Sequence, residues 1–285
     1  MRVGILSGGT GWHLQDLERA ARAGGYSNSR LDFRQIDDWV GSVRKTPEVD
    51  AIIVRTMPPG SLEQIIFRMD LLAIWQERGI RVINPPRALE ICVDKYHCSA
   101  RLENAGLPVP ATYICQTAEQ ALAVFDKLGG DVVVKPLFGS EGRGLVRVSD
   151  PELAWRTCRA IESIHGIIYV QQFIVHPGWD LRVFVLQDQA IAAMKRCAEN
   201  DWRTNVAQGA RTENCRLEDA QAQLAIRSAR AVGTFVAGVD LLQDANGNWY
   251  VIEVNAVPGW RALAKTTGLD IAGEIIDAIG RNQDR

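Results

Sequence analysis

Apolar residues recur with two periods along this chain. Val3-Gly4-Ile5-Leu6 is a short, nearly unbroken apolar run, which predicts a buried strand. Ser7-Gly8-Gly9-Thr10-Gly11 then turns into a helical pattern that continues through Ala23. Further strands are predicted at Asp50–Val54 and Arg81–Ile83. Between them, Leu62, Ile65, Ile66, Met69, Leu72 and Ala73 fall at helical spacing, so Ser61 to Arg78 reads as one long helix. Strands alternating with helices predict a small parallel α/β unit over about the first 90 residues.

The pattern then changes. Pro85-Pro86 opens a helix that carries Asp94-Lys95 and runs towards Gly106, and Pro108 and Pro110 punctuate a linker. Helices are predicted at Thr117–Leu128 and Asp150–Ser163, the second with Pro151 at a first helical position. Strands are predicted at Val132–Lys135, Leu145–Val148 and Ile168–Ile174. The last third shows strands at Leu181–Leu186, Ala190–Lys195, Gly238–Leu242 and Trp249–Val254, with helices at Glu218–Thr234 and Ile271–Ile279.

Composition narrows the function classes. A length of 285 residues suggests roughly two domains. A net charge of −2 gives no global field for nucleic acid, so no nucleic-acid partner is expected. No apolar stretch is long enough to span a bilayer, so no membrane partner is expected either. The six cysteines form no C-x-x-C and sit near no histidine at zinc spacing, and they read as reduced structural thiols of a cytoplasmic protein.

Four patterns carry chemistry. Lys135 closes a very apolar strand and is followed by Pro136-Leu137-Phe138-Gly139-Ser140-Glu141-Gly142-Arg143-Gly144. A buried lysine is expensive unless it meets an anion, and three glycines let backbone N–H groups approach phosphate oxygens. The plainer alternative is a snorkelling lysine before a hairpin. In Val251-Ile252-Glu253-Val254-Asn255, strand alternation places Glu253 and Asn255 on one face. With Asp240, a lone aspartate inside the apolar run 237–242, they make an oxygen array suited to Mg2+; polar outer positions of a half-exposed sheet are the alternative. Arg182, Lys195-Arg196 and Arg203-Thr204-Asn205 form a cationic set for phosphate or carboxylate, or else surface charge. Asp94-Lys95 offers a further phosphate contact, or a solvated helical lysine.

Taken in order, these segments resemble the ATP-grasp superfamily, and within it the RimK-like amino-acid ligases. The resemblance is carried by 93–95, 133–144, Tyr169-Val170-Gln171-Gln172-Phe173-Ile174, 180–185, Asp201-Trp202-Arg203-Thr204-Asn205, 237–242, 251–255 and Lys265-Thr266-Thr267-Gly268. It covers residues 90 to 280 or so. Val54–Gln64 and Phe67–Asp70 are similar to the subgroup associated with tetrahydromethanopterin glutamylation. Arg55 and Arg68 would grip substrate carboxylates, or Arg68 would form an ion pair on the helix surface.

The resemblance implies an ATP-grasp fold of the α/β (α+β) class: a pre-ATP-grasp domain at 1–92, a central and lid subdomain at 93–178, and a C-terminal subdomain with the metal site at 179–285. It implies ATP and Mg2+ as cofactors, with Mn2+ able to substitute. Lys95 and Lys135 would hold ATP phosphates. Gly139, Ser140, Glu141, Gly142, Arg143 and Gly144 would form a loop closing over them. Gln172 and Phe173 would hold adenine through the main chain, Asp180 the ribose, and Arg203 and Asn205 the nucleotide and substrate. Asp240, Glu253 and Asn255 would be the metal ligands. Arg182, Arg203 and Lys135 would act on the transferring phosphoryl group.

The implied reaction is ATP-dependent ligation of an amino acid, glutamate for preference, to a small carboxylated acceptor through an acyl phosphate. Ligation to a protein tail or carrier is the alternative within the class, and a non-catalytic nucleotide-binding module the alternative outside it. Homo-oligomer formation is left open. One departure stands out: Gln208-Gly209-Ala210 occupies the place where relatives commonly have Arg-Gly-Gly.

Overall fold

The structure, a computed structural model, describes residues 1–40, 46–139, 141–199 and 201–281. Three sheets organise it. The first is parallel, in the order β2-β1-β3-β4, built from β1 (Arg2–Leu6), β2 (Ser27–Leu31), β3 (Ala51–Val54) and β4 (Arg81–Ile83). Helices α1 (Trp12–Ala23) and α2 (Leu62–Glu77) connect these strands. Ser61 and Gln64 form a reciprocal capping box at the start of α2, where the apolar pattern begins.

Where one helix was expected from Pro85 towards Gly106, the structure has two: α3 (Pro86–Val93) and α4 (Lys95–Asn104). Asp94 is the break. It adopts an extended conformation and its carboxylate accepts from the His97 N–H at 3.0 Å, capping α4. This places Lys95 on the first turn of α4, facing the second sheet.

That sheet has the order β5-β8-β6-β7, from β5 (Thr112–Cys115), β6 (Val132–Lys135), β7 (Val146–Val148) and β8 (Ile168–Gln172). Helices α5 (Ala118–Lys127) and α6 (Pro151–Ser163) cover one face, meeting Val132, Val134, Ile168 and Val170. Alternation therefore turns Lys135, Tyr169 and Gln171 to the other face.

The third sheet is antiparallel, in the order β11-β10-β9-β12-β13. It comprises β9 (Trp179–Leu186), β10 (Gln189–Cys197), β11 (Arg211–Asn214), β12 (Val236–Gln243) and β13 (Trp249–Asn255). Helix α7 (Asp219–Val232) packs with Leu181, Val183, Val185, Ala237, Val239 and Leu241 on one face. On the other face, Phe184, Leu186, Met194 and Val236 join a core with Val3, Ile5 and Leu14 of the first sheet layer. Helices α8 (Arg261–Thr267) and α9 (Ile271–Arg281) complete that core, so the end of the chain returns to the N-terminal sheet.

Asn84 fastens this junction. Its amide donates to the carbonyls of Val236 and Ala256 and accepts from the N–H groups of Phe235 and Val236, using both donors and both acceptor sites. Among the described residues, no helix is long and apolar enough to cross a membrane.

Candidate active site

The second and third sheets, with α4, enclose a single cleft, and most of the residues singled out above meet there. Lys135, at the end of β6, is buried and donates from Nζ to Gln171 Oε1 at 2.6 Å. Gln171 donates in turn to Thr112 Oγ1 at 2.9 Å and Tyr169 Oη at 3.2 Å, and Tyr169 Oη bonds Ser99 Oγ at 2.9 Å. Burial pushes the Lys135 ammonium down to about 8, with Glu253 pulling it back up and Lys95 depressing it further. Lys95 lies against it; its Nζ donates to the Gly139 carbonyl at 2.7 Å, and burial lowers its pKa as well.

The glycine loop docks on the 203–208 segment. Arg203 Nη1 lies 3.5 Å from the Gly142 carbonyl, and Gln208 Nε2 donates to the Glu141 carbonyl at 3.2 Å. Gly142 has φ +71°, a backbone conformation that favours glycine, and a Cβ there would sit 2.6 Å from Asn205 Oδ1 and push that amide aside. Gly142 and Arg143 line the cleft; Arg143 also pairs with the exposed Glu141 at 2.6 Å. Gly144 folds back on Pro136. Ser140 lies outside the described residues.

At the far wall, Gln172 and Phe173 line the cleft, but their N–H groups are already given to the carbonyls of Ala111 and Asp131. The Phe173 ring is held between the Arg147 guanidinium, 3.5 Å from its centroid, and the edge of Trp202.

The floor is a buried ionic cluster. Arg196 forks onto Asp180, with Nε 2.7 Å from Oδ1 and Nη2 against Oδ2, and Nη2 also lies 3.0 Å from Asp240 Oδ2. Thr204 Oγ1 donates to Asp180 Oδ2 at 2.7 Å. Burial alone would weaken the hold of Arg196 on its proton; the two carboxylates, Asp180 foremost, outweigh it and raise its pKa. Asp240 stands opposite Glu253 in the β12–β13 ladder and opposite Arg182 in the β9–β12 ladder. Gly238 admits the Arg182 guanidinium, which would lie 2.5 Å from any Cβ at that position. Asn255 is one step along from Glu253 on the same face, its Oδ1 accepting from the Val257 N–H at 2.8 Å.

Asp240 Oδ1 is buried and has no hydrogen-bond partner, and no hydrogen bond engages the Glu253 carboxylate among the described residues. A buried carboxylate oxygen left without a donor, beside a second carboxylate and an amide oxygen, fits a hard divalent cation. Among the described residues no cluster of three histidines, cysteines or acids occurs, because the third oxygen here is an amide.

Some candidates go elsewhere. Lys195 lies over the Trp179 ring at 4.3 Å, outside the cleft. Arg68 is buried and donates to the Pro58 carbonyl at 2.6 Å, so it braces the N-terminal loop rather than forming a surface ion pair. Arg55 donates to the Val257 carbonyl at 3.1 Å and stacks over Trp260. Sequence reasoning assigns no role to Gln171 and Tyr169, although their alternation with apolar neighbours is a signal for both; Thr204, grouped with the phosphate or carboxylate contacts, bonds Asp180 instead.

Comparison with known proteins places the chain by family and fold. The RimK-like ATP-grasp domain matches residues 92–279. The tetrahydromethanopterin:alpha-L-glutamate ligase of Methanosarcina acetivorans is 31% identical over 93% of this chain and 94% of its own. The ribosomal protein bS6–L-glutamate ligase of Escherichia coli O7:K1 is 32% identical over 99% and 96%. Among solved structures, the ATP-grasp ligase PsnB, with a phosphomimetic variant of its minimal precursor, Mg and ADP, superimposes at a TM-score of 0.78 over 98% of this chain and 97% of that one, at 23% identity.

Proposed function

The chain belongs to the RimK-like ATP-grasp ligases, and from that membership we propose that it joins L-glutamate to a small carboxylated acceptor of the pterin type, forming ADP and phosphate. The observation that carries this reading is the meeting of Lys95 and Lys135 with Asp240 and Glu253 in one cleft: two cations for a triphosphate, and two carboxylates for the metal that accompanies it.

An acceptor carboxylate oxygen attacks the γ-phosphorus of ATP, and the amine then displaces phosphate from the resulting acyl phosphate. Lys95 and Lys135 hold phosphate oxygens, and the Gln171 amide aims Lys135. Arg182 and Arg203 stabilise charge on the transferring group. Gln172 and Phe173 face the adenine, and Asp180, oriented by Arg196 and Thr204, lies on the ribose side with Asn205 near the triphosphate. Residues 139–144 exclude water from the acyl phosphate. Asp240, Glu253 and Asn255 would hold Mg2+, or Mn2+ in its place, which when bound supplies positive charge to the phosphates. The three units 1–92, 93–178 and 179–285 would act as acceptor side, lid and catalytic floor, in a cytoplasmic protein.

A second reading, glutamate added to a protein tail, is supported by the near full-length match to the bS6-modifying ligase. The two separate by product analysis: the chain is incubated with ATP, glutamate and either a carboxylated pterin or a peptide, and the products are weighed. With an 18O-labelled acceptor carboxylate, labelled phosphate is expected. Unlabelled phosphate with AMP would mean adenylation and would refute the acyl-phosphate route. ADP without any amide product would favour an uncoupled or regulatory nucleotide-binding module.

A further inference from the structure

The guanidinium of Arg55 has one corner in use and one edge idle. Arg55 follows β3 directly, and its backbone N–H is held by the Leu6 carbonyl of β1. Its Nη1 donates to the Val257 carbonyl at 3.1 Å, and its guanidinium carbon lies 5.3 Å from the Trp260 ring centroid. Nε is buried with no hydrogen-bond partner. Nη2 makes no hydrogen bond among the described residues and is not shut away from solvent as Nε is.

That idle edge is the one that grips carboxylates elsewhere in this protein. Arg147 on Asp131, Arg196 on Asp180 and Arg203 on Asp201 each donate from Nε and Nη2 together. Asp16, the acid beside Trp260, is already engaged: Oδ1 accepts from Arg19 Nε at 2.9 Å and Oδ2 from Trp260 Nε1 at 2.9 Å. Burial lowers the Arg55 pKa to about 10, with no carboxylate to raise it. A guanidinium taken out of water without a counter-charge is costly, and an anion arriving at the idle edge removes that cost.

The surroundings hold the edge in place. His13 Nε2 accepts from the N–H groups of Trp260 at 3.0 Å and Arg261 at 3.3 Å, which fixes the ring under Arg55. Val257 ties the same arginine to the strand end with the metal candidates: its N–H donates to Asn255 Oδ1 while its carbonyl accepts from Arg55. The edge therefore stands one short turn from Asn255.

We propose that the Nε–Nη2 edge of Arg55 binds a carboxylate of the incoming L-glutamate and so selects that amino acid as the amine. This rests on the ligase reading above, which makes glutamate the nucleophile. Only its amine reacts, so both of its carboxylates persist through the reaction and need a cation. The acceptor carboxylate, by contrast, is consumed at phosphorus, where Lys95, Lys135 and the metal ligands already serve. Arg68 cannot share the task, because it is buried on the Pro58 carbonyl. The N-terminal unit thus contributes a contact to the amine as well as to the acceptor.

The test compares the parent, Arg55→Met and Arg55→Lys by ADP and amide formation, with whichever of the carboxylated pterin and the peptide yields an amide. The amines are L-glutamate, L-glutamine and L-isoglutamine, the last two lacking the side-chain and the α-carboxylate respectively. Arg55→Met should raise the KM for glutamate about tenfold to a hundredfold, the loss of one charged hydrogen-bonded pair, while the KM for ATP moves by less than about twofold. Arg55→Lys, which keeps the charge without the fork, should fall between. In the parent, one of the two amides should be a poor substrate, and that preference should shrink in Arg55→Met; the amide concerned identifies the carboxylate held. An equal loss for glutamate and both amides, or a rise in the acceptor's KM alone, would overturn the proposal, since Arg55 would then brace the 255–257 turn or hold the acceptor. Melting curves establish which variants fold, and Arg55→Lys carries the same comparison where Arg55→Met does not. A parent that forms no amide refutes the ligase reading, and the site is then read from melting curves alone. Stabilisation of the parent by excess L-glutamate, reduced in Arg55→Lys, still supports the carboxylate site; no stabilisation of the parent overturns it.

Discussion

Arg182 Nη1 and Asp240 Oδ1 face each other at 3.1 Å across neighbouring strands, and both atoms are buried without a hydrogen bond. The pair is close enough to attract but misaligned for donation, so the carboxylate oxygen keeps a free lone pair directed into the cleft floor. Under the proposed metal assignment, this oxygen would be the one offered to the cation.

Glu253, directly opposite Asp240, has no hydrogen bond to lose among the described residues. Glu253→Gln should therefore melt within a few degrees of the parent without metal, yet lose ligation by at least about a hundredfold. Melting curves and ADP release at limiting Mg2+ check both halves. Near-parental turnover in the folded variant would remove Glu253 from the metal site.

Arg196 neutralises two carboxylates that are themselves buried. Arg196→Met should leave Asp180 with only the Thr204 hydroxyl and Asp240 with only Arg182, destabilising the fold by about 3–5 kcal/mol. Urea unfolding measures this, and Arg196→Lys should recover part of the stability but not the forked geometry on Asp180.

Lys135 makes stability and ATP binding depend on pH in opposite senses. Its folded pKa, about 8, lies below the ordinary 10.5, so between these values the unfolded chain keeps a proton that the folded chain has released. Stability should rise across that window, by up to about 3 kcal/mol, and the rise should vanish in Lys135→Met. Phosphate favours the charged amine, so ATP binding above pH 8 should take up a proton and weaken by as much as about tenfold per pH unit. Calorimetry in two buffers of different ionisation heat reads the uptake; no buffer dependence at that pH would separate Lys135 from the phosphates.

The loop at 139–144 is anchored by a part-buried contact from Arg203 and an exposed one from Gln208. Amide exchange there should be fast in the free protein and slow with a non-hydrolysable ATP analogue. Gly142→Ala should disturb the docking on Asn205, because its Cβ would meet Oδ1, and should raise the fraction of ATP hydrolysed without amide formation. Unchanged exchange at saturating ligand argues against a lid.

The sequence by itself determined the elements whose side chains obey a local period. Val132–Lys135, the glycine loop and Glu253-Val254-Asn255 were legible because alternation and glycine spacing are properties of a few consecutive residues. The ATP-grasp fold and the ligase class were legible for a related reason, since many such segments occur in one order. Other features were decided only by tertiary structure. β2 was not foreseen because Ser27–Leu31 is polar and is held as a strand by pairing with β1. The expected single helix divides at Asp94 because its carboxylate caps α4. Arg196 read no differently from surface charge until β9, β10 and β12 set Asp180 and Asp240 beside it. A charge carries no local sign of its partner: burial and pairing depend on which distant strands become neighbours, and that is a property of the folded chain.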